Sequence, residues 1–385
     1  MVTMKLSHWS KKSIWTKTRR NTARKGAALV DSSAEQTLEP RIVISIDMMG
    51  GDSGLAAVVG GLALSAQKNP RIGFLLHGDQ GKIKPLLAKR RELSDICEIR
   101  HTDGVISMTE KPSRAVRQGK GTSMWNAVEA VKKGEAKVAV SCGNTGALMA
   151  MSMLLLRKAP GVHRPAIAIL WPSHNPSGFN IMLDVGADIR AEAQDLVTFA
   201  VMGAAYARHG MQLDRPRVGL LNVGTEEHKG REALHDAAER LEAREGEEFQ
   251  YIGFVEGGDM PSDKVDVIVT DGFTGNVAIK TAEGTASLIT GLMREAFKHS
   301  IWSRIGALFA VTSLKRLAKR VDPRRVNGGV FLGLNGTVIK SHGAADATGV
   351  SAAIKLAFTL ADGGFEERLA ARVASAALSS NDGAD

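Results

Sequence analysis

Cysteine is nearly absent from this chain. Only Cys97 and Cys142 occur among 385 residues, which excludes a disulfide scaffold and points to a reducing cytosol. No cluster of Cys, His and carboxylates has zinc-ligand spacing, so no metal is expected. Long hydrophobic runs are missing too. Runs such as Ala147–Met151 and Met153–Leu156 fall far short of the roughly 20 apolar residues of a membrane-spanning helix. The basic N-terminus has no apolar stretch behind it, unlike a secretory signal. Three nucleotide and hydrolase signatures are also lacking. There is no G-x-x-x-x-G-K-[ST] loop, no G-x-G-x-x-G after a strand and no G-x-S-x-G elbow, which removes the usual marks of ATP, Rossmann-type NAD and serine-hydrolase chemistry.

Positive charge is present but uneven. The net charge is +9, yet residues 1–40 alone hold eight Lys and Arg against three acids, with no acid before Asp31. The rest of the chain is therefore unexceptional, and no nucleic-acid footprint is expected over its body. Residues 1–40 read as a basic, disordered extension, with an organelle-targeting peptide or a nucleic-acid arm as alternatives; Trp9 and Trp15 there could touch a membrane surface. Residues 379–385 read as a polar tail.

Between these ends the chain is 44% hydrophobic over its full length, enough for a large core. Its organising stretch is Val138–Lys158. A short apolar strand passes through Ser141, Cys142, Gly143, Asn144, Thr145 and Gly146 into a helix apolar on almost every face. Such a turn presents backbone N–H groups, and the helix N-terminus adds roughly half a positive charge, a seat for an anion. From Arg41 to about Leu360 strands alternate with helices, with a hairpin signal between Ala166–Leu170 and Asn180–Asp184. This pattern predicts a three-layer αβα fold around a mostly parallel sheet. Five polar, glycine-rich turns follow strands, at Asp47, Gly143, Asn222, Asp271 and His342, and are expected to gather on one edge of the sheet, where ligands bind.

The turns pool Asp47, Asp52, Asn144, Thr145, Asn222, Thr225, Lys229, Asp271, Thr274, Asn276, Lys280, Lys340 and His342, with Gly50, Gly51, Gly143 and Gly146 opening the backbone. Amides, hydroxyls, Lys and N–H groups dominate, a donor set suited to an anion such as phosphate. Singly, Lys229 and Lys280 are equally consistent with helix-surface lysines, and His342 with a helix cap. Cys142 has no flanking base and reads as a small buried hydrophobe rather than a nucleophile.

Taken together, Ile46–Asp52 (I-D-M-M-G-G-D), Ser141–Met149 (S-C-G-N-T-G-A-L-M), Leu220–Gly230 (L-L-N-V-G-T-E-E-H-K-G), Val269–Lys280 (V-T-D-G-F-T-G-N-V-A-I-K) and Val338–Gly343 (V-I-K-S-H-G) resemble the bacterial PlsX family of phosphate acyltransferases. The likeness runs in order from about Arg41 to Leu360. It implies a fold like that of phosphotransacetylases and isopropylmalate-type dehydrogenases, and a homodimer. It also implies acyl transfer from acyl carrier protein to inorganic phosphate without a cofactor, giving an acyl phosphate for phospholipid synthesis. The family usually has Ala where Cys142 stands, and residues 1–40 have no counterpart in its typical member. Phosphate is then expected at the N–H groups around Asn144–Gly146 with Lys229 or Lys280. Asn276 and His342 are the candidates for oxyanion stabilisation or proton management. A short-chain phosphotransacetylase using coenzyme A and a basic-tailed binding protein are the alternatives; an isopropylmalate-type dehydrogenase would need converging Asp residues for its metal.

Ile301–Arg325 does not fit a globular core. Ile301, Trp302, Ile305, Leu308, Phe309, Leu314 and Leu317 mix with seven Lys or Arg against the single acid Asp322. A helical hairpin over about 290–328, within a domain spanning 41–378, is expected to project from the sheet. Its roles would be dimer packing, docking of the acidic carrier protein, or peripheral membrane contact, the last in keeping with the family's association with the inner membrane face and its glycerol-3-phosphate acyltransferase.

Overall fold

The computed structural model describes residues 40–373, apart from 227, 245, 247, 322–327 and 372. The basic stretch through Glu39, the end of the expected hairpin and the polar tail lie outside the described residues. The first half of the chain runs β1 (Ile42–Asp47), α1 (Gly54–Ala66), β2 (Ile72–Gly78), α2 (Gln80–Leu87), β3 (Cys97–His101), α3 (Pro112–Gln118), α4 (Ser123–Lys132), β4 (Val138–Ser141) and α5 (Thr145–Leu156). Then come β5 (Ala166–Pro172), β6 (Phe179–Leu183), α6 (Ala193–Met211), β7 (Arg217–Leu221), α7 (Glu232–Glu242), β8 (Gln250–Val255) and β9 (Val267–Val269). Two long helices, α8 (Gly272–Lys298) and α9 (Ile301–Val321), precede β10 (Gly329–Leu332), β11 (Thr337–Lys340) and α10 (Ala347–Asp362).

All the strands form one 11-stranded sheet in the order β3-β2-β1-β4-β11-β10-β5-β6-β9-β7-β8. Side chains alternate across a strand, and the core divides accordingly. Ile181, Leu183, Val267, Val269 and Ile339 join one apolar cluster with α1, α6 and α10, while Met182, Ile268 and Val338 join another with α4 and α5. Both faces are covered, as the expected αβα class requires. α2 begins at Gln80 because Asp79 caps it by accepting the Gly81 N–H at 2.9 Å.

The expected gathering of turns on one edge needs correction. β3, β2, β1, β4 and β11 run parallel to one another. β10, β5 and β6 then pair antiparallel in succession, so β6, β9, β7 and β8 run in the reverse sense. The turns after Asp47, Ser141 and Lys340 therefore form one set, and those after Leu221 and Val269 a second. Sheet twist of roughly 20–25° per step rotates these opposed directions toward a right angle over the four steps from β11 to β9.

Candidate active site

The first set is built on a buried carboxylate. Asp47 ends β1 in register with Ser141 at the end of β4, and the Ser141 hydroxyl donates to Asp47 Oδ2 at 2.7 Å. The same Ser141 oxygen accepts the Gly143 N–H at 3.0 Å, and the Met49 N–H donates to Asp47 Oδ1 at 3.2 Å. Burial raises the Asp47 pKa, and the hydroxyls of Ser123 and Ser141 oppose that shift. Gly50 lies so close that a Cβ there would stand 2.5 Å from Asp47 Oδ2 and 2.7 Å from Gly143 N, and Gly51 has φ +93°. Only glycine fits this double turn. Asp47 and Gly50 are thus both buried behind the turn.

Asn144 has two tasks. Its Oδ1 caps α5 by accepting the Ala147 N–H at 3.0 Å, while its Nδ2 donates to the carbonyls of Met108 and Glu110, each at 2.9 Å. The preceding loop is thereby strapped over the turn, and Met108 packs against Gly343, where an added Cβ would meet its Cε at 2.7 Å. The exposed N-terminus of α5 then offers Thr145 and Gly146, whose N–H groups lie in the helix's first turn and have no intrahelical acceptor. Asp52 is tied in through its N–H, which donates to the Gly343 carbonyl at 2.7 Å.

Lys340 closes this set. Its ammonium donates to the carbonyls of Cys142, at 3.4 Å, and Ser341. Burial pushes its pKa down to about 8 against the pull of Asp47 and Asp52, and the charge of Lys280 depresses it further. His342 is exposed, and its Nδ1 accepts the Ala344 N–H at 3.2 Å; Asp346, not His342, caps α10. Cys142 is buried, which raises its thiol pKa, in keeping with a small hydrophobe.

The second set surrounds the start of α8. Asp271 caps that helix by accepting the Thr274 N–H at 2.9 Å, accepts the Thr274 hydroxyl at 3.0 Å, and pairs with Arg231. Asn222 is also buried; its Nδ2 donates to the Lys229 carbonyl at 2.9 Å and its Oδ1 accepts the Val223 N–H. Asn276 is exposed beside Gly186. The sequence did not single out the turn Asp184–Asp188 as part of the site. There Asp184, fully buried, accepts the N–H groups of Ile167, Gly186, Ala187 and Asp188, and Gly272 N donates to the Asp188 carbonyl at 2.8 Å. Its signal is a pair of Asp residues bracketing Val-Gly-Ala just after a strand.

The lysines sort themselves by environment. Lys229 folds back on its own turn, 2.8 Å from Glu226, and that bond raises its pKa. Thr225 is exposed in the same turn. Lys280 is 2.8 Å from Glu283, one helical turn on, and exposed. The positive charge of Lys280 adds a small share to the lowering of the Lys340 pKa. Among the described residues one group, Asp79, His101 and Asp103, has metal-ligating types within reach of one another. His101 Nδ1 accepts the Gln80 N–H at 3.2 Å, which places the ring proton on Nε2, and Asp79 caps α2 and pairs with Lys82.

This architecture defines an α/β protein of phosphotransacetylase-like fold. Solved phosphotransacetylases from Streptococcus pyogenes (TM-score 0.56, 18% identity, covering 85% of this chain and 94% of that one) and Staphylococcus aureus (0.51, 15%, 84% and 94%) share the fold. The chain belongs to the family described as fatty acid synthesis protein, whose model matches residues 42–368. Its relatives include proteins named phosphate acyltransferase from Paracoccus denitrificans, 64% identical over 89% of this chain and 95% of that protein, and from Dinoroseobacter shibae, 66% identical over 89% of each.

Proposed function

We propose that the protein transfers a fatty acyl group from acyl carrier protein to inorganic phosphate, releasing an acyl phosphate for phospholipid synthesis. What supports this reading is the exposed N-terminus of α5 with the Lys340 ammonium held at the Cys142 carbonyl just before it, in a chain whose relatives are named phosphate acyltransferases. A phosphate oxygen attacks the thioester carbonyl, the C–O bond forms, the C–S bond breaks, and the carrier leaves as a thiolate. A thiol of pKa about 8.5 is a good leaving group, so no strong acid is needed. Catalysis then rests on alignment and on donors for the developing oxyanion. Thr145, Gly146, Lys280 and Lys340 hold phosphate, and Asn276 and His342 face the oxyanion. Lys229, paired with Glu226 as Lys280 is with Glu283, is the alternative lysine for phosphate.

The test is incubation of the purified chain with long-chain acyl carrier protein and phosphate, following thiol release and trapping acyl phosphate with hydroxylamine. Phosphate-dependent release with trapped product supports the reading. Activity with short acyl-coenzyme A alone would favour a short-chain phosphotransacetylase.

Assembly and location belong to the same proposal. Both long helices project with apolar residues exposed: Leu288, Ile289 and Leu292 on α8, Ile301, Trp302, Leu308 and Phe309 on α9. The α8 stripe suits a homodimer, and the α9 residues beside Arg304 suit peripheral contact with the inner membrane face and its glycerol-3-phosphate acyltransferase. No helix among the described residues is long and apolar enough to cross a membrane. Leu288→Asp with Leu292→Asp should yield a monomer by light scattering, and Trp302→Ser with Phe309→Ser should abolish pelleting with anionic vesicles.

A further inference from the structure

The segment Thr109–Lys120 carries Lys111, Arg114, Arg117 and Lys120 against the single acid Glu110. All four basic residues are exposed. Their position is set by how α3 lies on α5. At its N-terminal end Pro112 packs on Gly146, where an added Cβ would meet Pro112 Cγ at 2.9 Å; past its C-terminal end, one at Gly119 would meet Met151 Cε at 2.1 Å. Ala115 is buried in the same interface. Arg114 and Arg117 therefore point away from α5. They are steadied along the helix by Gln118, 3.1 Å from Arg114 Nε, and by the Ser113 carbonyl, 3.2 Å from Arg117 Nε. The basic face thus starts beside the anion seat and runs outward from it. On its seat side the strapped loop exposes Val105 and Met108, both apolar, with Met108 against Gly343.

We infer that Lys111, Arg114, Arg117 and Lys120 form the docking surface for an acidic carrier protein, which delivers its acyl thioester across Met108 to the α5 N-terminus. The inference rests on the proposed use of an acyl carrier donor. It assigns carrier docking to α3 and leaves the projecting helices to the dimer and the membrane. Charge complementarity of this kind steers encounter and weakens with salt, because exposed charges are screened over about 8–10 Å.

The test compares the full chain with Arg114→Glu/Arg117→Glu and with Arg114→Lys/Arg117→Lys, using long-chain acyl carrier protein and phosphate. The glutamate pair should raise the carrier KM about tenfold or more, change kcat at saturation less than about twofold and leave phosphate KM and melting temperature unchanged. The lysine pair should stay near wild type, and the wild-type carrier KM should rise with ionic strength. An unchanged carrier KM in the glutamate pair, while wild type turns over acyl carrier protein, overturns the docking surface alone. So does a loss confined to kcat, or a loss of vesicle pelleting with carrier KM intact, which would make α3 a membrane contact. Wild type inactive with acyl carrier protein overturns the functional reading and the docking surface with it.

Discussion

Ser141 Oγ donates to Asp47 Oδ2 at 2.7 Å while accepting the Gly143 N–H at 3.0 Å. One hydroxyl therefore couples a buried carboxylate at the end of β1 to the turn that opens α5. Ser141→Ala leaves the carboxylate short of a donor and the N–H short of an acceptor, each buried. It should cost about 1–3 kcal/mol of stability and raise phosphate KM several-fold, read by denaturant unfolding and steady-state kinetics. Unchanged phosphate KM would mean that the relay supports the fold only.

Asn144 allows its two tasks to be separated. Asn144→Asp keeps an oxygen that caps α5 but loses the amide that holds the Met108 and Glu110 carbonyls. Asn144→Ala loses both, with a cap worth about 0.5–2 kcal/mol. The aspartate variant should melt closer to wild type than the alanine variant. Hydrogen exchange in residues 104–112 should speed up equally in both.

Lys340 gives opposite trends in activity and stability. Burial holds its pKa at about 8, below the ordinary value of about 10.4, so it is cationic below pH 8. Phosphate KM should rise as pH climbs through about 8, and Lys340→Arg, which stays charged, should shift that rise to higher pH. The folded pKa is the lower one, so between the two values the unfolded chain binds more protons. The contribution of Lys340 to stability is therefore least favourable below pH 8 and improves from there to about 10.4. A pH-independent phosphate KM from pH 7 to 9 would sink this role.

Asp271 is the hinge point of the second set, capping α8 and pairing with Arg231. Asp271→Ala should lose about 1–3 kcal/mol. Its rate should drop about 100-fold, because Asn276 and Lys280 depend on where α8 begins and small misplacements are costly. Circular dichroism with single-turnover kinetics separates the two effects; a rate loss no larger than the lost folded fraction would contradict it.

Much of this was legible in the residues. Strands such as Ile181–Leu183 and Val267–Val269 declare themselves by short apolar runs, and the polar turns by Gly beside Asn, Thr or Asp. Strand direction was not legible, because it depends on β10 pairing antiparallel with both β11 and β5, contacts between segments more than 150 residues apart for Val330 and Ala168. Single side chains were harder still. Lys229 and Lys280 look alike in sequence, and only the fold shows each closing on a glutamate three residues away, Glu226 and Glu283. Asn144 reads as a cap or a ligand, and only the folded loop shows its amide holding residues 34 and 36 positions away.

We propose that turns from oppositely running halves of the sheet serve one phosphate. The most direct measurement is phosphate KM at pH 7 for Lys280→Gln, Lys340→Gln and the double variant. One shared seat predicts that each single change raises KM about tenfold or more, and that the double variant departs several-fold from their product. If Lys280→Gln leaves phosphate KM unchanged, or the two effects simply multiply, the two sets of turns do not share a ligand.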